Sequence, residues 1–196
     1  MLQHPNTVPT YELGRDSKGN PYFTMKLVHG YTLREILDYR ERYDLTQLMK
    51  LLNQVAYALK YAHTHGVAHR DIKPENIMQQ PDGELMLLDF GIATLLNPDD
   101  ELLTRTSAGP MTPAYAAPEQ ILRERVTTAT DVYALGVVLF ELLAGNRPYH
   151  LTTLTAAQIE RVVGQDTPPR PSAKAPALRA RQLKGDLDTI VLKALS

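Results

Sequence analysis

Six polar side chains fall within one eight-residue stretch: His69, Arg70, Asp71, Lys73, Glu75 and Asn76. A carboxylate, a cation and a carboxamide this close together on one loop can face a single ligand. Asp71 is suited to accept or orient a hydroxyl proton, Lys73 to neutralise developing negative charge, and Asn76 to offer oxygen to a hard cation such as Mg2+. A second group, Asp89-Phe90-Gly91, follows a short apolar run at 85–88. An aspartate at a strand end supplies a charged metal ligand, Phe90 can enter the core, and Gly91 lets the backbone turn sharply. Two oxygen ligands from separate loops suit Mg2+, which retains water and substrate phosphates in its shell. The chemistry this points to is phosphoryl transfer, which asks the protein for in-line positioning and charge neutralisation more than for covalent participation.

The elements that must hold these residues can be read from patterning. Short β-type runs at 8–14 and 21–28 flank Arg15-Asp16-Ser17-Lys18-Gly19-Asn20, a hairpin connection. Residues 32–42 read as a short helix capped by Thr32, with Glu35 completing a capping box. Residues 46–65 carry a helical stripe of Leu48, Leu51, Leu52, Val55, Leu59 and Ala62, stopped by Gly66. Segment 67–76 is polar and irregular, and 92–113 is a long stretch broken by prolines, the kind of loop that carries function. Thr128–Ala144 is apolar on nearly every side and so predicts a helix buried all round, ended by Gly145. Two further helices are expected at 156–163 and 186–195, joined by a proline-rich surface linker at 167–177.

Bulk properties exclude several classes. A net charge of −1 gives no electrostatic case for nucleic acid or a membrane surface. With no cysteine, disulfides and thiolate metal sites are ruled out. The longest greasy stretch, 132–144, is interrupted by Glu141 and is too short to span a bilayer, which takes about 20 residues. The start of the chain lacks the basic and apolar regions of a secretory signal.

The motif His69-Arg70-Asp71-Ile72-Lys73-Pro74-Glu75-Asn76 resembles the catalytic loop of protein kinases. Asp89-Phe90-Gly91 resembles their metal-binding motif, and Ala117-Pro118-Glu119 the end of their activation segment. Order and spacing fit as well, and together the pieces are specific where each alone is weak. The chain is thus similar to the eukaryotic-like (Hanks-type) serine/threonine kinases, in a style that resembles bacterial members: Pro118-Glu119-Gln120 and Thr130-Asp131-Val132-Tyr133-Ala134-Leu135-Gly136.

The resemblance implies an α+β, protein-kinase-like fold, with a remnant β-hairpin of the small lobe and hinge at 1–29 and a mostly helical large lobe at 30–196, incomplete at its C-terminus. It implies ATP and Mg2+ as cofactors, with Asp71 and Lys73 catalytic and Asn76 and Asp89 as metal ligands. It places Met25, Lys26, Val28 and Met78 around the adenine, Thr112 in the substrate loop, and Asp131 as an anchor for the catalytic loop backbone. Arg70 is implied to pair with a phosphate on Thr104, Thr106 or Ser107. His69 is expected to be structural, as is His4 in its His-Pro-Asn turn, while His63 and His65 near a helix end are expected only to favour the helix dipole. A cytoplasmic location is expected, with a Ser/Thr-bearing protein as substrate.

The family pattern is not complete. No Gly-rich phosphate loop, lysine strand or glutamate-bearing helix precedes Val8, Thr10 stands where an apolar residue is preferred, and Glu119 is expected to lack its usual arginine partner. Weak or absent activity of the chain alone is therefore expected, with self-association through an exposed hairpin edge. Two other readings stand beside the kinase: a non-catalytic docking module, which need not retain all of Asp71, Lys73, Asn76 and Asp89, and a small-molecule phosphotransferase. The segment from Thr112-Pro113 to Glu119, which shapes a peptide groove, argues against the latter.

Overall fold

The computed structural model describes residues 4–88 and 113–196. Two antiparallel strands, β1 (Thr10–Arg15) and β2 (Pro21–Met25), pair with Leu13 opposite Phe23, and the register slips between Thr10 and Glu12. Asp16 closes their connection by accepting the amides of Lys18 and Asn20 on one carboxylate oxygen.

A second sheet was not foreseen in full. β3 (Tyr31–Thr32), β4 (Ile77–Gln79) and β5 (Leu85–Leu87) form an antiparallel trio with β4 in the centre. Gly30 precedes it at φ 152°, and a Cβ there would lie 1.9 Å from the Gln79 carbonyl oxygen, so only glycine lets β3 approach β4 this closely. The chain start is tied to the same sheet. Thr7 bridges Leu87, the Leu87 amide donates to Asn6 O, and the Asn6 side-chain amide donates to Leu85 O.

α1 (Leu33–Asp38) carries the expected capping box of Thr32 and Glu35, and a 3-10 turn (Arg40–Arg42) continues it. α2 (Leu45–Thr64) starts one residue earlier than expected because Asp44 and Gln47 form a second capping box. Its predicted stripe is buried in full, joined by Ala58. After the short α3 (Pro118–Ile121) comes α4 (Thr128–Ala144), as predicted; Val132 is its large apolar residue left exposed. α5 (Ala156–Gln165) and α8 (Asp186–Ala194) match the expected helices. The supposed linker instead holds a helical turn, α6 (Pro171–Lys174), and leads into α7 (Ala177–Leu183). Proline misled here because at the first helical position its missing N–H costs nothing.

One core unites these helices. Leu48, Val55, Ile72, Ile77, Leu87, Val137, Phe140, Leu142 and Leu183 all lie inside it. No described helix is long and apolar enough to cross a membrane.

Candidate active site

Asp131 opens α4 and is fully buried, a position that a carboxylate tolerates only when its oxygens are satisfied. Three donors do so. The backbone amides of His69 and Arg70 each reach it at 2.7 Å, and His63 Nε2 donates at 2.8 Å. The loop 67–76 therefore hangs from the helix through its main chain, as expected of Asp131. His63 does more than favour the helix dipole: in the last turn of α2, it completes the shell of the buried carboxylate. Sequence reasoning missed this because the contact joins residues far apart in the chain.

Arg70 sits at φ 72°, in the left-handed region that a side chain with a Cβ rarely adopts. Such a conformation costs about 1–3 kcal/mol and persists only where its surroundings fix it. Asp131 holds the amide of Arg70, and Gln120 Nε2 donates to its carbonyl at 2.8 Å. Gln120 also accepts the Ala117 amide, so α3 is stitched to the loop through one side chain. Glu119, expected to lack its usual arginine partner, accepts the Thr130 hydroxyl.

Beyond Arg70 the loop turns its polar groups to one side. Lys73 Nζ donates to Asp71 Oδ2 at 2.7 Å, and Asn76 Nδ2 reaches the same oxygen at 2.9 Å and the Asp71 carbonyl at 2.8 Å. The Asp71 side chain remains 55% exposed, so this oxygen is held while the carboxylate still faces solvent. Asn76 is buried, and with its NH2 group spent on Asp71 its carbonyl oxygen is left as an acceptor.

Leu88, the residue before Asp89, is fixed to the same loop. Its amide donates to Asn76 O at 2.9 Å, and its carbonyl accepts His69 Nε2 at 2.7 Å. His69 also accepts the Asp71 amide on Nδ1, which sets its tautomer and makes it the structural link expected of it. Asp89, Thr104, Thr106, Ser107 and Thr112 lie outside the described residues. Among the described residues no group of three or more His, Asp or Glu is placed to hold a metal.

The structure thus brings Asp71, Lys73 and Asn76 together. Met78 follows on β4, opposite Thr32 of β3. Met25, Lys26 and Val28 lie at the end of β2 and in the connection to β3, and share no hydrogen bond or ion pair with the Asp71 group. Arg70 keeps Nε buried without a partner among the described residues.

A second buried carboxylate was not singled out. Glu141 of α4 accepts the Tyr115 hydroxyl at 2.5 Å and pairs with Arg34 at 3.1 Å, while Arg147 stands 3.8 Å away. Burial and the Glu141 bond push the Tyr115 phenol well above its ordinary range. Burial works against the Arg34 charge, but Glu141 outweighs it and raises the Arg34 pKa. The arrangement joins α1, α4 and the segment leading to α3.

Comparison with known proteins agrees with this geometry. Residues 1–182 match the protein kinase domain family. The chain is 34% identical to the serine/threonine-protein kinase PknB of Mycolicibacterium smegmatis, over 100% of this chain and 31% of that protein. It is likewise 34% identical to a probable serine/threonine-protein kinase of Streptomyces coelicolor, over 99% of this chain and 28% of the relative. A probable serine/threonine-protein kinase of Corynebacterium efficiens is 36% identical over 86% of this chain and 26% of its own length. The chain therefore spans about a third or less of the curated relatives it matches. With its catalytic-loop geometry, its α+β architecture and a family match over most of its length, the chain belongs to the protein kinase domain family.

Proposed function

We propose that this chain carries the catalytic loop of a serine/threonine protein kinase that transfers the γ-phosphoryl group of ATP to a protein hydroxyl. The observation that carries this reading is the Asp71 carboxylate, held by Lys73 and Asn76 through one oxygen on a loop suspended from buried Asp131. The other oxygen is left to accept and orient a substrate hydroxyl, and Lys73 stands where charge would build on the transferring group.

The donor set fits Mg2+. Asn76 offers a neutral oxygen, and Asp89 follows directly on Leu88, which is fixed by Asn76 and His69. When bound, the ion neutralises phosphate charge and holds the phosphates in register. For the adenine, the Lys26 carbonyl and the Val28 amide are engaged by no other described residue, and Met25 and Met78 offer apolar surface. Arg70, with its unpartnered Nε, suits a phosphate on Thr104, Thr106 or Ser107. Thr112 is the substrate-loop residue in this reading. The division at about residue 29 and the self-association of the hairpin edge belong to the same proposal, as does a cytoplasmic location, where ATP is the phosphoryl donor.

The test has two arms. Mg2+ with nucleotide should raise the melting temperature, and chelation of the metal should abolish the rise. Transfer of labelled phosphate to a Ser/Thr-bearing protein should then depend on Asp71. A chain with no metal-dependent shift is a docking module and not a kinase.

A further inference from the structure

On the side of the large lobe where the 3-10 turn Arg40–Arg42 meets α7, the structure holds a cleft of about 620 Å³. Its walls come from segments more than 130 residues apart, joined by a bond from Arg179 Nη2 to the Tyr43 carbonyl at 3.0 Å. The other terminal nitrogen of Arg179, Nη1, is buried without a hydrogen-bond partner among the described residues. Arg40 lines the same cleft. Its Nη1 donates to the Leu142 and Leu143 carbonyls at 3.3 Å, and the rest of its guanidinium fills the space that a Cβ on Gly145 would take.

No ion pair reaches either arginine among the described residues. Burial, and then the positive charge of Arg179, lower the Arg40 pKa below the usual guanidinium value. The two acids in the cleft do not cancel this: Glu41 offsets only part of it, and the Arg40 pKa stays lowered. Asp44 spends an oxygen on the Gln47 amide as the cap of α2, and Glu41 is not within ion-pairing distance. At the rim, Leu178 is 86% exposed beside Pro176.

We propose that this cleft docks a segment of a partner protein in which a carboxylate stands next to an apolar residue. The unmet donor of Arg179 calls for an acceptor, and a negative one offsets the repulsion between two buried-edge guanidiniums. A free anion would satisfy that and leave Leu178 in water, whereas a peptide satisfies both at once. None of these residues belongs to the Asp71 group, so the site is independent of phosphoryl transfer.

Fluorescence anisotropy tests it, with a labelled peptide of alternating glutamate and leucine titrated with the whole chain. Saturable binding is expected. It should weaken about tenfold in Arg179→Ala and about tenfold in Leu178→Glu, because each removes one half of the recognition. Leu178 is exposed, so that variant should keep the wild-type melting temperature even if Arg179→Ala loses stability. Absence of saturable binding overturns the proposal, as does binding that ignores both substitutions. Complete displacement by millimolar inorganic phosphate, with Leu178→Glu binding as the wild type does, overturns it in favour of a simple anion site.

Discussion

The loop 67–76 and the β1–β2 hairpin are both short pieces of chain, one irregular and one regular, and they are held in opposite ways. The loop is suspended by buried polar groups: Asp131 takes three donors, Gln120 takes the Arg70 carbonyl, and His69 bonds to Leu88. The hairpin pairs with itself, and leaves Tyr11, Leu13, Tyr22 and Met25 substantially exposed. The Lys26 amide on Pro9 O only extends its own ladder, and it joins the body through Asn6, Thr7 and Val8 alongside β5. Directional bonds in a dry setting fix an irregular backbone to within the tolerance that chemistry needs, even one strained at Arg70. An exposed two-stranded ribbon is regular but weakly anchored. In this molecule positional accuracy follows buried polar satisfaction and not secondary structure.

The largest test of that contrast is at the end of the suspended loop. Asp71→Asn keeps the shape and removes the proton acceptor, so whatever phosphotransfer the chain sustains should fall about a thousandfold. The melting temperature should stay where it is, because the Asp71 side chain is more than half exposed. Equal loss of activity and stability would mean that Asp71 is a structural residue.

Next comes the suspension itself. Asp131→Ala strands two backbone amides and His63 in the interior, at a cost of about 3 kcal/mol or more. Urea unfolding measures this directly. Asp131→Asn, which keeps one acceptor, should fall between the variant and the wild type. If Asp131→Ala unfolds as the wild type does, the loop is not held in the way described.

How much of this could be read beforehand divides along the same line. The types of Asp71, Lys73 and Asn76 and their spacing were enough to bring them to one place, because a single loop carries all three. The apolar stripe of α2 and the all-round apolarity of α4 marked their burial, since periodicity is a local property. His63, Gln120 and Asn6 were not legible as anchors. Each makes its decisive bond to a residue 48 or more positions away, and a lone histidine or amide in a sequence gives no sign of such a partner. β4 was also missed, because three residues after a catalytic loop are too few to show alternation. The family resemblance supplied Asp131, which patterning alone would have left as the cap of a helix.

Asn6 sharpens the comparison from the hairpin side. Its side-chain amide donates to Leu85 O at 2.8 Å and to Gln54 Oε1 at 3.0 Å from a buried position. Asn6→Ala should cost about 1–2 kcal/mol in urea unfolding, because it leaves the Leu85 carbonyl short of a donor. Leu13→Ser, out on the ribbon, should change stability by no more than about 0.5 kcal/mol. If the ribbon substitution cost as much as the anchor, the hairpin would be more than a weakly held appendage.

The smallest effect is an alkaline one. Burial, and then the nearby Asp166 charge, push the Tyr149 phenol up to about 12, against 10.0 for an ordinary tyrosine. Between these values the unfolded chain gives up the proton while the folded chain keeps it. The stability linked to Tyr149 is therefore complete below pH 10.0 and declines as pH rises towards about 12. Tyr149→Phe removes that share and makes the fall of the urea midpoint with pH shallower, though its plateau drops slightly for want of the bond to Asp166 O at 2.9 Å. Leu13→Ser adds no titrating group and should leave the slope as it is. An equal change of slope in both variants would mean that alkaline unfolding begins in the hairpin and not in the helical body.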